Sequence, residues 1–72
     1  MRVLGIDPGL TRCGIGIVDS VGPQKLQMIS VGVIKTDIDA ELVIRLMHLE
    51  KELLVWIKEF KPDVIAVERV FS

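Results

Sequence analysis

The 72-residue sequence predicts an α/β fold, a mixed sheet with its elements in the order β-β-β-α-β. Three observations carry that reading. Short apolar runs broken by Gly and Pro fill the first half of the chain. The period then changes to steps of three and four, and a last apolar run follows Pro62. Half of the residues are apolar, so the low-hydrophobicity signature of a disordered segment is absent. A chain this short buries only about 60% of its unfolded surface, which makes its core marginal.

The first strand is residues 2 to 7, "RVLGID", apolar on both faces through Val3, Leu4 and Ile6, as in a central strand buried on both sides. Pro8 biases Asp7 toward extended geometry and Gly9 can take a positive φ, so the chain turns there. In the second strand, residues 13 to 19, Cys13, Ile15 and Ile17 alternate with Gly14, Gly16 and Val18. A strand face carrying two glycines marks the close approach of another backbone, a bulge or a ligand. Gly22-Pro23 then punctuates the link to a third strand over residues 25 to 35, which completes an antiparallel meander.

Leu42, Leu46, Leu49, Leu53, Trp56 and Phe60 form one stripe of an amphipathic helix, with Asp39 as the expected N-cap and Glu41 in the first turn. His48 falls at the edge of that stripe, where a role as a ligand has little support, and Trp56 reads as core. After Pro62, "DVIAVE", residues 63 to 68, is a short strand ending on an acid. Neither a repeat nor a linker interrupts the chain, so one domain is expected.

Nine basic and ten acidic residues leave a net charge of −1, which excludes a global basic field for nucleic acid but not a local phosphate site. The lone Cys13 cannot form an internal disulfide and reads as a small buried hydrophobe, since no activating His is identifiable near it. The amino terminus does not resemble a signal peptide, and no apolar run approaches the roughly 18 residues of a membrane span. A cytoplasmic setting is the default expectation.

A helix between strands of one sheet normally serves as a crossover that makes the flanking strands parallel. If the first and last strands are parallel neighbours, Asp7 and Glu68 lie about 5 Å apart at backbone level, at matching carboxyl ends. Two carboxylates that close repel, and a divalent ion resolves the conflict. Mg²⁺ prefers hard oxygen ligands, and open sheets place ligands beyond the carboxyl ends of their strands. The bland alternative is ordinary turn chemistry, Asp before Pro-Gly being a common turn former.

"GIDPGLTRCGIGIVD", followed about fifty residues later by "PDVIAVERVF", resembles the amino-terminal half of the RuvC family of bacterial Holliday junction resolvases. Asp-Pro-Gly alone is weakly specific; with Glu-x-Val-Phe at this spacing the likeness is strong. The resemblance implies a ribonuclease H-like fold, residues 1 to 72 being the amino-terminal part of one nuclease domain. It implies a crossover junction endodeoxyribonuclease that hydrolyses DNA phosphodiesters at four-way junctions, in recombination and repair. Mg²⁺, replaceable by Mn²⁺, would act as two ions per complete site. The implied partners are junction DNA, a second copy in a homodimer and the RuvA–RuvB branch-migration complex, in the bacterial cytoplasm.

Asp7 and Glu68 fall on the family's first two catalytic acids, each a metal ligand in this reading. Phe71 matches the aromatic residue that stacks on a base near the junction centre. Arg69, Arg12 and Thr11 are candidate DNA contacts, with a solvated cation or a polar loop as the ordinary alternative. The family's two further acids, near its carboxyl end, cannot be assigned within the sequence. The chain by itself is therefore expected to bind metal weakly and to cleave nothing.

Two other readings compete. Actin-like ATPases and sugar kinases share the strand order, and their first strand also ends in Asp-x-Gly before a phosphate-handling hairpin, which "DPGLTRCG" fits. They need two such domains, and "ERVF" is not theirs. Resolvase-like RNA-processing nucleases share the acid-ended first strand but usually lack the Glu-x-Val-Phe ending. A non-catalytic ribonuclease H-like interaction module is the reading from outside the enzymes.

Overall fold

Apolar residues spaced by two form strands because alternate side chains reach the same sheet face. In the computed structural model, which describes residues 1–9 and 11–68, those runs become β1 (Arg2–Asp7), β2 (Arg12–Ser20) and β3 (Leu26–Lys35). The helix α1 (Leu42–Phe60) and β4 (Val64–Val67) follow. The sheet order is β3-β2-β1-β4, with β1 antiparallel to β2 and parallel to β4. That is the order expected of the ribonuclease H-like fold.

One face of the sheet holds the core. Leu4, Cys13, Ile15, Ile17 and Ile34 are buried, and Ile6, Leu49, Leu53, Trp56, Ile57 and Phe60 pack against them. Each fully buried aliphatic side chain of this kind contributes about 1.5–3 kcal/mol. The opposite face is open, so β1 is central by hydrogen bonding but covered on one side only among the described residues. Leu4 is fully buried, whereas Val3 and Ile6 are half-buried. Every residue of β4 is exposed.

The helix departs from the sequence reading at its start. Its N-cap is Glu41, with extended backbone and no side-chain cap hydrogen bond, rather than Asp39, and its first turn contains no acid. The cause is a turn that uses the preceding residues. The Asp39 N–H donates to Asp37 Oδ1 at 2.9 Å and the Ala40 N–H to the Asp37 carbonyl at 3.1 Å. The apolar stripe is also only partly used. Leu42 and Leu46 are 56% and 52% exposed, because the helix packs on the buried cluster only from Leu49 to Phe60. His48 is exposed. At the other end Lys61 takes the left-handed conformation, its N–H donating to the Ile57 carbonyl, and Pro62 prevents continuation.

Arg2 ties the far end of the sheet together. Its guanidinium donates two hydrogen bonds to Asp19, Nε at 2.7 Å and Nη2 at 2.9 Å, and a third from Nη1 to the Phe60 carbonyl at 3.0 Å. Its backbone N–H donates to Asp63 Oδ2 at 2.7 Å, so β1, β2, α1 and the start of β4 meet at one residue. The Arg2 hydrogen bonds hold the Asp19 carboxyl below its ordinary range, against a smaller opposing effect of desolvation. A depressed folded-state pKa adds stability that is present above the unfolded value of about 3.9 and disappears as pH falls through the folded value. Wild-type chain should therefore lose more thermal stability between pH 5 and pH 2.5 than Asp19→Asn does, as followed by circular dichroism. Parallel curves would show that the pair contributes nothing.

Candidate metal centre at the carboxyl end of the sheet

Parallel pairing of β1 with β4 runs Val3 to Val64, Leu4 to Ile65, Gly5 to Ala66 and Ile6 to Val67. The next step brings Glu68 beside Asp7, and the Glu68 N–H donates to the Ile6 carbonyl at 2.9 Å, continuing the ladder into that step. Cross-strand neighbours share a face, so both acids stand on the open side, at strand ends separated by about 5 Å. Both are exposed.

The floor beside them is bare backbone. Gly14 stands opposite Asp7 and Gly16 opposite Gly5 in the β1–β2 ladder. A Cβ at Gly14 would lie 3.5 Å from that of Asp7. With Gly5, Val31, Val33 and Ala66 these glycines line a shallow depression of about 500 Å³ that has Asp7 and Glu68 at its rim. Gly14 and Gly16 thus leave space on the open side of the sheet, away from the helix.

Gly9 serves its turn for a different reason from the one its sequence position suggests. Its φ is not in the left-handed region; a Cβ there would instead collide with the Arg12 carbonyl oxygen, so close backbone approach demands glycine. Cys13 is 1% exposed, and burial, the largest cause, pushes its thiol pKa up, with Asp7 adding to the rise. A thiol so placed is packing material rather than a nucleophile.

Two hard carboxylates on an open, water-accessible rim fit part of a Mg²⁺ or Mn²⁺ site, in which waters and substrate phosphate complete the coordination. Among the described residues no group of three or more His, Cys, Asp or Glu side chains gathers, so these residues supply only part of the ligand set. Thr11 is half-buried and its carbonyl accepts the Thr36 N–H at 3.0 Å; Arg12 is exposed at the start of β2. Arg69 and Phe71 lie outside the described residues.

One residue of interest escaped the sequence reading. Lys35 stands opposite Arg12, in a register shifted by a bulge at Ile17/Val18 that the sequence does not announce. No helix among the described residues is long and apolar enough to cross a membrane.

The family model described as crossover junction endodeoxyribonuclease RuvC matches residues 3–72. Curated proteins of that name are similar along the whole chain. Those of Streptomyces avermitilis and Salinispora arenicola are each 54% identical over 72 residues, covering 100% of this chain and 41% of their own length. The chain thus spans about two fifths of the relatives it matches. Among solved structures, T. thermophilus RuvC in complex with Holliday junction substrate superposes with a TM-score of 0.89 at 33% identity, over 100% of this chain and 44% of that one. A second, Thermus thermophilus RuvC structure gives 0.85 at 32% identity, over 100% of this chain and 45% of that one. The likeness takes in "ERVF" as well as "DPG", which the actin-like phosphate-binding reading left unexplained. By its sequence along nearly its whole length and by its ribonuclease H-like sheet, the chain belongs to the RuvC family of crossover junction endodeoxyribonucleases.

Proposed function

We propose that residues 1–72 are the amino-terminal part of one ribonuclease H-like nuclease domain, whose activity is metal-dependent resolution of four-way DNA junctions in recombination and repair. The observation that carries this reading is the placement of Asp7 and Glu68 side by side beyond two parallel strands, above a glycine floor. Asp7 and Glu68 would hold the ion, Mg²⁺ with Mn²⁺ as a substitute. Bound there, a divalent ion supplies charge neutralisation and Lewis-acid activation of a phosphodiester, and a pair of ions serves both the attacking and the leaving oxygen. The chain's own part is to hold two hard oxygen ligands on strand ends and to leave bare backbone beside them at Gly5, Gly14 and Gly16.

Arg12, Thr11 and Arg69 would contact the DNA backbone, and Phe71 would stack on an unpaired base. The functional assembly in this reading is a homodimer on junction DNA, working with the RuvA–RuvB branch-migration complex in the bacterial cytoplasm.

The test is a Mn²⁺ titration followed by amide NMR. Substoichiometric Mn²⁺ should broaden Gly14, Gly16 and Ala66 selectively, and Asp7→Asn or Glu68→Gln should abolish the selectivity. Equal broadening in wild type and variants would sink the metal centre. In parallel, the chain alone with Mg²⁺ should cleave no junction. Cleavage by these 72 residues would mean that two carboxylates suffice.

A further inference from the structure

A pair of opposed cations lies on the same face as the two acids. Arg12 and Lys35 are direct cross-strand partners in the β2–β3 ladder. Cys13, Ile15, Ile17 and Ile34 point into the core, so alternation sends Arg12 and Lys35 to the open face with Asp7 and Gly14. Opposed residues of an antiparallel pair have Cβ atoms about 4.5–5.5 Å apart, and like charges so placed repel.

No ion pair among the described residues engages either cation. The ion pair formed there is Arg2–Asp19, at the other end of the sheet, and neither the Arg12 nor the Lys35 side chain makes a hydrogen bond. The pair is also held in place. Beyond it, the Thr36 N–H donates to the Thr11 carbonyl at 3.0 Å, so the ladder continues past both residues and they cannot splay apart by fraying. Two exposed cations fixed side by side, with no carboxylate of their own, present the geometry that an anionic oxygen cluster satisfies, Arg as a fork and Lys as a point charge.

We propose that Arg12 and Lys35 form a two-cation clamp for a phosphate of the DNA backbone, adjacent to the metal centre. Two residues along β2, roughly 7 Å, separate Arg12 from Gly14, which faces Asp7. A backbone phosphate in the clamp therefore orients the strand so that a neighbouring phosphate lies over the acids. The clamp rests on the nuclease reading for the identity of its ligand, and it adds Lys35 as a positioning residue. Both side chains bind phosphate, so the clamp acts independently of base sequence.

The test uses a linear DNA duplex in EDTA, which removes any contribution from the metal centre, with binding measured by fluorescence anisotropy across a salt series. Each cation withdrawn from a phosphate should reduce the slope of log K against log salt by about 0.9, so Arg12→Ala and Lys35→Ala each lower it by that amount and the double variant by about 1.8. Lys58→Ala, on the helix, should leave the slope unchanged. Slopes equal to wild type in Arg12→Ala and Lys35→Ala, or no duplex binding at all in EDTA, overturn the clamp. Because the Mn²⁺ response at Asp7 is read without DNA, failure of the clamp and failure of the metal centre are separable.

Discussion

Leu4→Ala is expected to leave the chain largely unfolded at 25 °C. Leu4 lies on the strand that both β2 and β4 pair with, it is fully buried, and it faces Ile17, also fully buried, across the ladder. Removing a buried leucine side chain costs about 2–5 kcal/mol, transfer and cavity terms together. A chain of this size, with five buried side chains among the described residues, has little more than that to lose. Loss of far-UV ellipticity and of amide dispersion would report it. The contrasting variant is Val31→Ala on the open face, where the side chain is 72% exposed; it should change stability by no more than about 0.5 kcal/mol. If the two variants destabilised equally, the one-sided core would be wrong.

The contrast between those positions also shows what the sequence made legible. Alternation along residues 13 to 19 correctly put Cys13, Ile15 and Ile17 on one face and the glycines on the other, because a period of two is a property of the strand itself. The acid pair followed from strand ends and a crossover, and it came out at adjacent positions. Register across β2 and β3 was not legible. From the turn, Ser20 pairs with Leu26 and Val18 with Met28, yet Ile17 pairs with Ser30, so Ile29 is an extra residue in β3. Without that bulge the count from the turn would set Ile34, not Lys35, opposite Arg12, and Ile34 would leave the core face. A local sequence window contains no sign of such a shift, because what fixes it is burial of Ile34 on the far side of the sheet from the acids.

The helix start failed for a related reason. Asp39 has the chemistry of a cap, but Asp37 closes a turn around it first, and only the tertiary path from β3 decides which of two nearby acids caps and which turns. The stripe Leu42 to Phe60 announces a helix without saying how much of it the sheet is wide enough to cover. Leu42 and Leu46 stay exposed for that reason.

Where α1 does meet the sheet, one glycine sets the distance, and Gly32→Val is expected to push the two apart. Gly32 lies on the helix-facing side of β3, opposite Ile15, and a Cβ there would fall 2.7 Å from Trp56 Cζ2 and 3.0 Å from Cη2. Trp56 cannot simply swing aside. Its ring sits 5.5 Å from that of Phe60, centroid to centroid, and packs against the core with Leu53 and Ile57. Overfilling a packed interface of this kind costs about 1–3 kcal/mol, equivalent to a fall in melting temperature of about 4–8 °C per kcal/mol in a domain of this size. If the clash with the indole is the cause, pairing Gly32→Val with Trp56→Leu should recover most of the loss, so that the double variant is more stable than the sum of the single effects by about 1 kcal/mol. Additive losses would place the cost in the strand backbone instead. Either way the open face is untouched, since valine at 32 points toward the helix and the acids stand on the other side. Selective Mn²⁺ broadening at Gly14 and Gly16 should therefore persist in Gly32→Val for as long as the chain stays folded. Its disappearance in a folded variant would mean that the packing of the helix, through β3 and β2, holds the glycine floor in position beneath Asp7.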